Sequence, residues 1–253
     1  MGTAPSPSED RPANVAEIVL TGGPGGGKTT ALRLLSSLLG RSGLRVITVP
    51  EVATIIINRG TFDIAAISRQ DSDANCRFQR ELFTTHRNLR RRALKRAAER
   101  SQRTVILYDR GELDGRAWHD HDCFDTLAAE NQTTVAAVRD SYSAVMHLVT
   151  AAAGAENAYT LANNAARWES AAEAAARDAK VIQVWKDHPN FRLIDNRGDF
   201  ADKVDRLVQA TLAALNLPTQ LIIDLSGRTP DVEAMTVDGT DAVAMVGPEA
   251  VPA

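Results

Sequence analysis

Residues 22–30 read Gly22-Gly23-Pro24-Gly25-Gly26-Gly27-Lys28-Thr29-Thr30, which satisfies the Walker A spacing G-x-x-x-x-G-K-T. Holding a phosphate needs these residue types in this order. Glycines let the backbone wrap a phosphate closely with its N–H groups turned inward, and the N-terminus of a following helix adds partial positive charge. Lys28 is then expected to reach the β- and γ-phosphates and the Thr29 hydroxyl to ligate Mg²⁺. The apolar stretch Ile18-Val19-Leu20 precedes the loop and a leucine-rich stretch follows it. That strand–loop–helix context separates a working phosphate loop from a glycine-rich turn that binds nothing. The ligand class implied is ATP or GTP.

Three further groups could act on a bound phosphate. Val105-Ile106-Leu107-Tyr108-Asp109 is an apolar strand ending in an acid. Such an Asp holds Mg²⁺ directly or through a water, or else it caps the next turn. Arg110 follows at once, ahead of Gly111, Glu112 and Asp114, and an arginine beside the metal can neutralise charge on a transferring phosphoryl group. Val49-Pro50-Glu51 ends another strand, which places a carboxylate where open α/β sheets bind their ligands; the alternative is a Glu that caps the helix starting near Val52. The polar stretch 159–169 carries Asn163, Asn164, Arg167 and Glu169, in the position where small-molecule kinases keep a lid.

These residues need a scaffold. Five short apolar runs, at 17–21, 44–49, 104–108, 144–149 and 191–194, read as buried strands of a parallel sheet. Helical patterns separate them at 29–40, 73–100, 126–142, 165–185 and 200–215. The alternation predicts a three-layer α/β fold, a parallel five-stranded sheet with helices on both faces. The domain spans 16–217. Residues 1–15, polar and proline-rich, read as a disordered leader, and 218–253 as a short, largely disordered arm with one apolar run, 221–225, that could add a strand.

Composition narrows the function. A chain of 253 residues with 44% hydrophobic and 24% charged residues has a globular profile, and a net charge of −3 argues against nucleic acid as a partner. The basic cluster Arg87, Arg90, Arg91, Arg92, Lys95, Arg96 reads as a solvated helix face, or else as a face meeting an anionic substrate. Two cysteines, Cys76 and Cys123, with no CxxC and only His119 and His121 beside the second, predict neither a disulfide framework nor a structural zinc and fit a reducing cytoplasm. Met1-Gly2 and Ser6 fit the loose myristoylation pattern, but no apolar run is long enough to span a membrane. Phe78 and Gln79 open the helix over 73–100, where a small-molecule kinase would stack and hydrogen-bond an acceptor; a core position is the other reading for Phe78. Trp118, Trp168 and Trp185 read as packing anchors.

GGPGGGKTT, VPEVAT, YDRGELDGRAW, ANNAARWE and LIDNRGDFADKV resemble, in that order, the P-loop domain of the NadR-like AAA family, which is related to nucleoside and nucleotide kinases. The resemblance runs from about residue 18 to 215. It implies a sheet in 2-3-1-4-5 order, Glu51 as general base or acceptor-binding carboxylate, and Asp109-Arg110 as an acid–arginine motif. It further implies Arg167 as a lid arginine and Asp195-Asn196-Arg197-Gly198 lining the nucleotide base. Two functions remain open. One is a kinase moving the γ-phosphoryl group to a small acceptor; the other is a slow nucleotide-hydrolysing switch read by a partner. Arg110 and Arg167 within one chain favour the kinase. Pairing with a second copy of the chain stays open.

Overall fold

The computed structural model describes residues 11–62, 67, 72–118, 121–153, 170–218 and 231–236. In chain order the elements are β1 Val15–Thr21, α1 Lys28–Arg41, β2 Arg45–Val49, α2 Val52–Asn58, α3 Ser72–Ala98, β3 Thr104–Asp109, α4 Asp114–Trp118, α5 His121–Glu130, α6 Val135–Asp140, β4 Ala144–Leu148, α7 Ala171–Trp185, β5 Phe191–Ile194, α8 Phe200–Ala214 and β6 Val232–Ala234. The strands form one sheet in the order β5-β4-β1-β3-β2-β6, every pair parallel.

Strand residues alternate between the two faces, and the cores divide accordingly. Ile18, Leu20, Val46, Val105, Leu107, Met146 and Leu148 pack with Leu35 and Leu39 of α1 and with Leu207, Val208 and Leu212 of α8. Val19, Ile47, Val49, Ile106, Tyr108 and Val145 pack with α3, α4, α5 and α7 on the other face. The central strands are therefore covered on both sides, which is why they read as nearly unbroken apolar runs. The register sets Leu20 beside Asp109 and Val49 beside Tyr108. Thr21, Glu51 and Asp109 thus meet at the carboxyl edge, where the order reverses around β1.

The sheet has six strands where the sequence suggests five. The added strand, β6, lies beyond residue 217 but not in the apolar run 221–225, which falls outside the described residues. Three residues are too few to show a period, and β6 is held by its ladder to β2, by buried Val232 and Met235, and by charge. Arg45, fully buried on β2, donates Nε and Nη2 to Glu233 Oε1 at 3.0 and 2.8 Å, and Arg96 of α3 donates Nε to Glu233 Oε2 at 3.0 Å. Arg92 Nη1 reaches the Thr236 carbonyl at 2.9 Å.

The basic run on α3 is accordingly no uniform solvated face. Arg91 and Lys95 are exposed, while Arg92 and Arg96 anchor β6. Arg90 turns inward and grips the fully buried Glu17 with two bonds of 2.7 and 2.8 Å. Tyr108 Oη donates to the same carboxylate at 2.7 Å. We expect Glu233→Ala to cost about 3 kcal/mol, the scale of leaving a buried ion without its partner. Denaturant unfolding measures it; an unchanged midpoint would show that the Glu233 ion pairs contribute nothing to stability.

Two other expectations change. The helix expected over 126–142 is two helices, because Gln132 takes φ 54° and Thr134 starts a new helix by accepting from Ala137 N at 3.1 Å. The cysteines are not free: Cys76 of α3 and Cys123 of α5 form a disulfide across 47 residues of sequence. The pairing is tertiary, made by two helices that meet only in the fold. No helix among the described residues is long and apolar enough to cross a membrane.

Candidate functional site

The phosphate loop leaves β1 at Gly22, whose φ of 137° and close approach to β4 both require glycine, since a Cβ there would fall 2.2 Å from the Leu148 carbonyl oxygen. Lys28 opens α1 directly behind Gly27. The loop is held from three directions. Asp178 of α7 accepts from Gly23 N at 2.5 Å and itself stands 3.1 Å from His147 Nε2 of β4. The Thr150 hydroxyl donates to the Pro24 carbonyl, and Ala151 N donates to the Gly25 carbonyl at 3.3 Å. At the far end a Cβ on Gly27 would strike the Phe200 ring of α8 at 2.5 Å.

Lys28 does not extend into solvent. It is buried and donates Nζ to the Gly22 and Gly23 carbonyls at 3.1 and 2.9 Å. Its pKa is lowered to about 8, chiefly by burial and then by the Arg110 guanidinium, with Asp109, Glu51 and Asp114 pulling the other way. Thr29 and Thr30, one and two residues on, are exposed.

Opposite the loop, β3 ends in Asp109 and the chain turns at Arg110, which adopts φ 72°. A left-handed backbone is costly for any residue with a Cβ, by about 1 kcal/mol. Here it coincides with a dense set of partners. Arg110 Nε donates to Glu51 Oε1 at 2.5 Å, and Nη1 donates to the Gly22 carbonyl at 3.0 Å and to Asp114 Oδ1 at 3.4 Å. One guanidinium thus joins the N-cap of α2, the phosphate loop and α4. Asp114, buried at the start of α4, accepts from the Thr21 hydroxyl, from Gly111 N at 2.9 Å and from the Trp185 indole at 3.1 Å. A Cβ on Gly111 would lie 2.8 Å from that indole.

Asp109 does not cap the turn, because Asp114 takes Gly111 N. Asp109 is buried, and its Oδ1 accepts from no group among the described residues. Burial raises its pKa, and Lys28 is the largest influence in the other direction. Glu51 is the N-cap residue of α2, yet its side chain makes no bond to the helix backbone. Its Oε2 accepts from the Thr54 hydroxyl at 2.8 Å. Burial acts to raise the Glu51 pKa, but Arg110, Thr54 and Lys28 together outweigh it and the carboxyl is held below its ordinary value. His86 lies behind this group, buried and neutral, its pKa lowered to about 4 chiefly by burial.

The sequence motifs are brought together unevenly. Lys28, Glu51, Asp109 and Arg110 converge. Asn196 is committed to structure: it donates Nδ2 to the Thr150 and Ala153 carbonyls, both at 2.7 Å, and accepts from Lys203 at 2.7 Å. Asp195 pairs with Arg197 at 2.8 Å and with Arg206 at 3.3 Å. Gln79 is buried and donates to the Gly115 carbonyl at 2.8 Å, and Phe78 is core, edge-on to Phe62. Trp185 is the expected packing anchor, with Asp114 as its polar partner. Arg167, Asn163, Asn164, Glu169, Trp168 and His119 lie outside the described residues, as do the side chains of Trp118 and His121. Thr21, His147, Thr150 and Asp178 were not singled out in sequence; each is an ordinary strand, loop or helix residue until the fold sets it against the loop.

A hard cation takes oxygen ligands, and a buried carboxylate oxygen without a donor, at the edge that carries Thr29, fits one. Among the described residues no group of three or more His, Cys, Asp and Glu could hold a metal ion. A cation here would therefore need phosphate oxygens to complete its shell, as Mg²⁺ does.

Residues 17–203 match the family model described as an AAA domain. No curated protein matches. Among solved structures, the thymidylate kinase of Candida albicans is 18% identical, with a TM-score of 0.43, covering 79% of this chain and 92% of that one. A phosphate loop between β1 and α1, an acid and an arginine at the end of β3, and a family match over most of the length agree: the chain belongs to the AAA domain family of P-loop NTPases.

Proposed function

We propose that this protein is a Mg²⁺-dependent phosphotransferase that moves the γ-phosphoryl group of ATP or GTP to a hydroxyl on a small acceptor, a nucleoside or related metabolite. The observation that carries this reading is the Glu51–Arg110 pair, bonded at 2.5 Å and tied by the same guanidinium to the phosphate loop. A carboxylate that can orient a hydroxyl and a cation that can follow the phosphoryl charge stand together in one chain. Lys28 and the loop N–H groups hold the phosphates. Arg110 neutralises charge as it builds on the transferring group, and Glu51 hydrogen-bonds the acceptor hydroxyl. Thr29 and Asp109 would hold Mg²⁺, which when bound offsets charge on the phosphate oxygens. The reading places the protein in the cytoplasm with its nucleotide.

Incubation with γ-labelled ATP and a pooled metabolite extract tests this directly. Label is expected in a new small-molecule product. If no acceptor stimulates nucleotide consumption, the protein is a switch and the phosphotransferase reading falls.

Asp109→Asn separates the metal from the fold. The substitution removes a buried charge whose pKa burial has raised, so thermal stability is expected to hold or rise. Turnover is expected to fall at least about tenfold, a loss of roughly 1.4 kcal/mol of transition-state stabilisation. Lower stability with unchanged turnover per folded molecule would make Asp109 a structural residue.

A further inference from the structure

The disulfide is the one covalent tie across the acceptor side of the sheet. Cys76 lies in the second turn of α3 and Cys123 in the first turn of α5, and both are only half-buried, within reach of a reductant. The loop it closes contains all of β3 and the Asp109–Asp114 turn. The two helices do not depend on it for their packing. Phe83 and Phe124 meet edge-on at 5.4 Å in the core, and Arg80 pairs with Glu130 at 2.5 Å further along. Arg116 of α4 also pairs with Asp125 of α5 at 2.9 Å. Opening the disulfide therefore leaves a folded protein whose α3 N-terminal half has lost its covalent attachment.

That half of α3 reaches the catalytic turn through Gln79. Gln79 stands one helical turn after Cys76, on the adjoining part of the helix. It is fully buried and donates to the Gly115 carbonyl at 2.8 Å. There is no slack in this contact, since a Cβ on Gly115 would lie 2.5 Å from Gln79 Oε1. Gly115 follows Asp114, the carboxylate that holds Thr21, Gly111, Arg110 and Trp185. Residues Gly23–Gly25 of the phosphate loop are anchored separately, by Asp178, Thr150 and Ala151, while Gly22 is held by Arg110 itself.

We infer that Cys76–Cys123 is a redox-operated brace, which when oxidised fixes Asp114 and Arg110 through Gln79 and Gly115, and when reduced releases them. The reductant is a dithiol. Its thiolate attacks one cysteine sulfur, the second thiol resolves the mixed disulfide, and the dithiol leaves as a disulfide having given two electrons and two protons to Cys76 and Cys123. Oxidation of the two thiols by a disulfide of the same class restores the brace. The effect on transfer rests on the phosphotransferase reading; the effect on local opening does not.

The test compares the oxidised protein, the protein reduced with dithiothreitol under native conditions, and Cys76→Ser/Cys123→Ser. A chromogenic thiol reagent is expected to count no thiols before reduction and two after it, with circular dichroism unchanged. Amide exchange over residues 76–79 and 114–117 is expected to speed up at least about fivefold on reduction, with Gly23 and Gly25 of the phosphate loop unaffected. Acceptor-dependent transfer is expected to fall at least about fivefold as Arg110 loses its fixed geometry, to recover on reoxidation, and to be low and insensitive to dithiothreitol in the double variant. The brace is overturned if the native disulfide resists reduction, or if two thiols appear while exchange stays the same. Faster exchange without acceptor-dependent transfer in either state would keep the brace and remove the phosphotransferase reading instead.

Discussion

Lys28→Ala is expected to weaken Mg-nucleotide binding at least about a thousandfold while the protein stays folded. Hydrogen bonds to charged groups contribute about 1.5–3 kcal/mol each, and losing those to two phosphates removes about 4 kcal/mol. A phosphate-loop lysine would ordinarily be expected to pack against little, yet this one is buried and donates to the Gly22 and Gly23 carbonyls. That does not make it a stabilising residue. Its pKa falls from 10.5 to about 8, which places the cost of holding the charge there at roughly 3 kcal/mol. Alanine removes that cost along with the two bonds, so the thermal midpoint is expected to stay close to the parent's. Calorimetric titration with Mg-ATP and Mg-GTP measures the binding; parent-like affinity would end the phosphate-cradle reading.

The same lysine sets a pH dependence whose sign follows from burial. A group with a lowered pKa loses its proton earlier than usual as pH rises, so free Lys28 is largely neutral at pH 9. Phosphate placed beside it favours the ammonium form and raises the pKa again. Binding at pH 9 is then expected to take up close to one proton, and affinity to fall up to about tenfold per pH unit above 8. Titration at one pH in two buffers of different ionisation enthalpy reads the uptake directly. No uptake at pH 9 would mean that Lys28 is already charged before nucleotide arrives.

What could be read in the sequence, and what could not, divides along contiguity. The phosphate loop is nine consecutive residues between two patterned elements, and Asp109-Arg110 closes an apolar strand, so local order alone exposes them. The parallel sheet follows from the same short runs, because strands covered on both faces cannot hide a polar alternation. The rest is assembled at a distance. Asp178 lies 155 residues from Gly23 and Trp185 lies 71 from Asp114; on α7 they read as one polar and one apolar position of a helix rich in alanine. Cys76 and Cys123 meet only once α3 and α5 pack. Glu233 hides its importance best. It sits in a strand of three residues, while its partners Arg45 and Arg96 read as an ordinary strand end and a solvated face. The left-handed backbone of Arg110 leaves no trace in residue type, since the pattern leads one to expect glycine at such a turn and finds it one residue later.

Glu51→Gln decides between phosphotransfer and a switch, and the structure sharpens what it should do. As the N-cap residue of α2 it could have been a helix cap, but no bond joins its side chain to the helix backbone. Its partners are Arg110 and Thr54. Arg110 holds the Glu51 carboxyl below its ordinary pKa, which makes it a weak base in this arrangement but keeps it ionised and able to accept a charge-assisted hydrogen bond. In the phosphotransferase reading its first task is therefore to orient an acceptor hydroxyl, and it would gain basicity only as the Arg110 charge is drawn toward the transferring phosphoryl group. Gln keeps the size and one carbonyl oxygen but removes the charge, so acceptor-dependent transfer is expected to fall about a hundredfold, within the range of a positioned acid–base group. Nucleotide affinity is expected to change little, because Lys28 and the loop N–H groups remain. A loss of affinity equal to the loss of transfer would mean that Glu51 acts by holding Arg110 for the phosphates and not by meeting the acceptor. In a switch, slow hydrolysis would be indifferent to the substitution, and no acceptor would accelerate the parent.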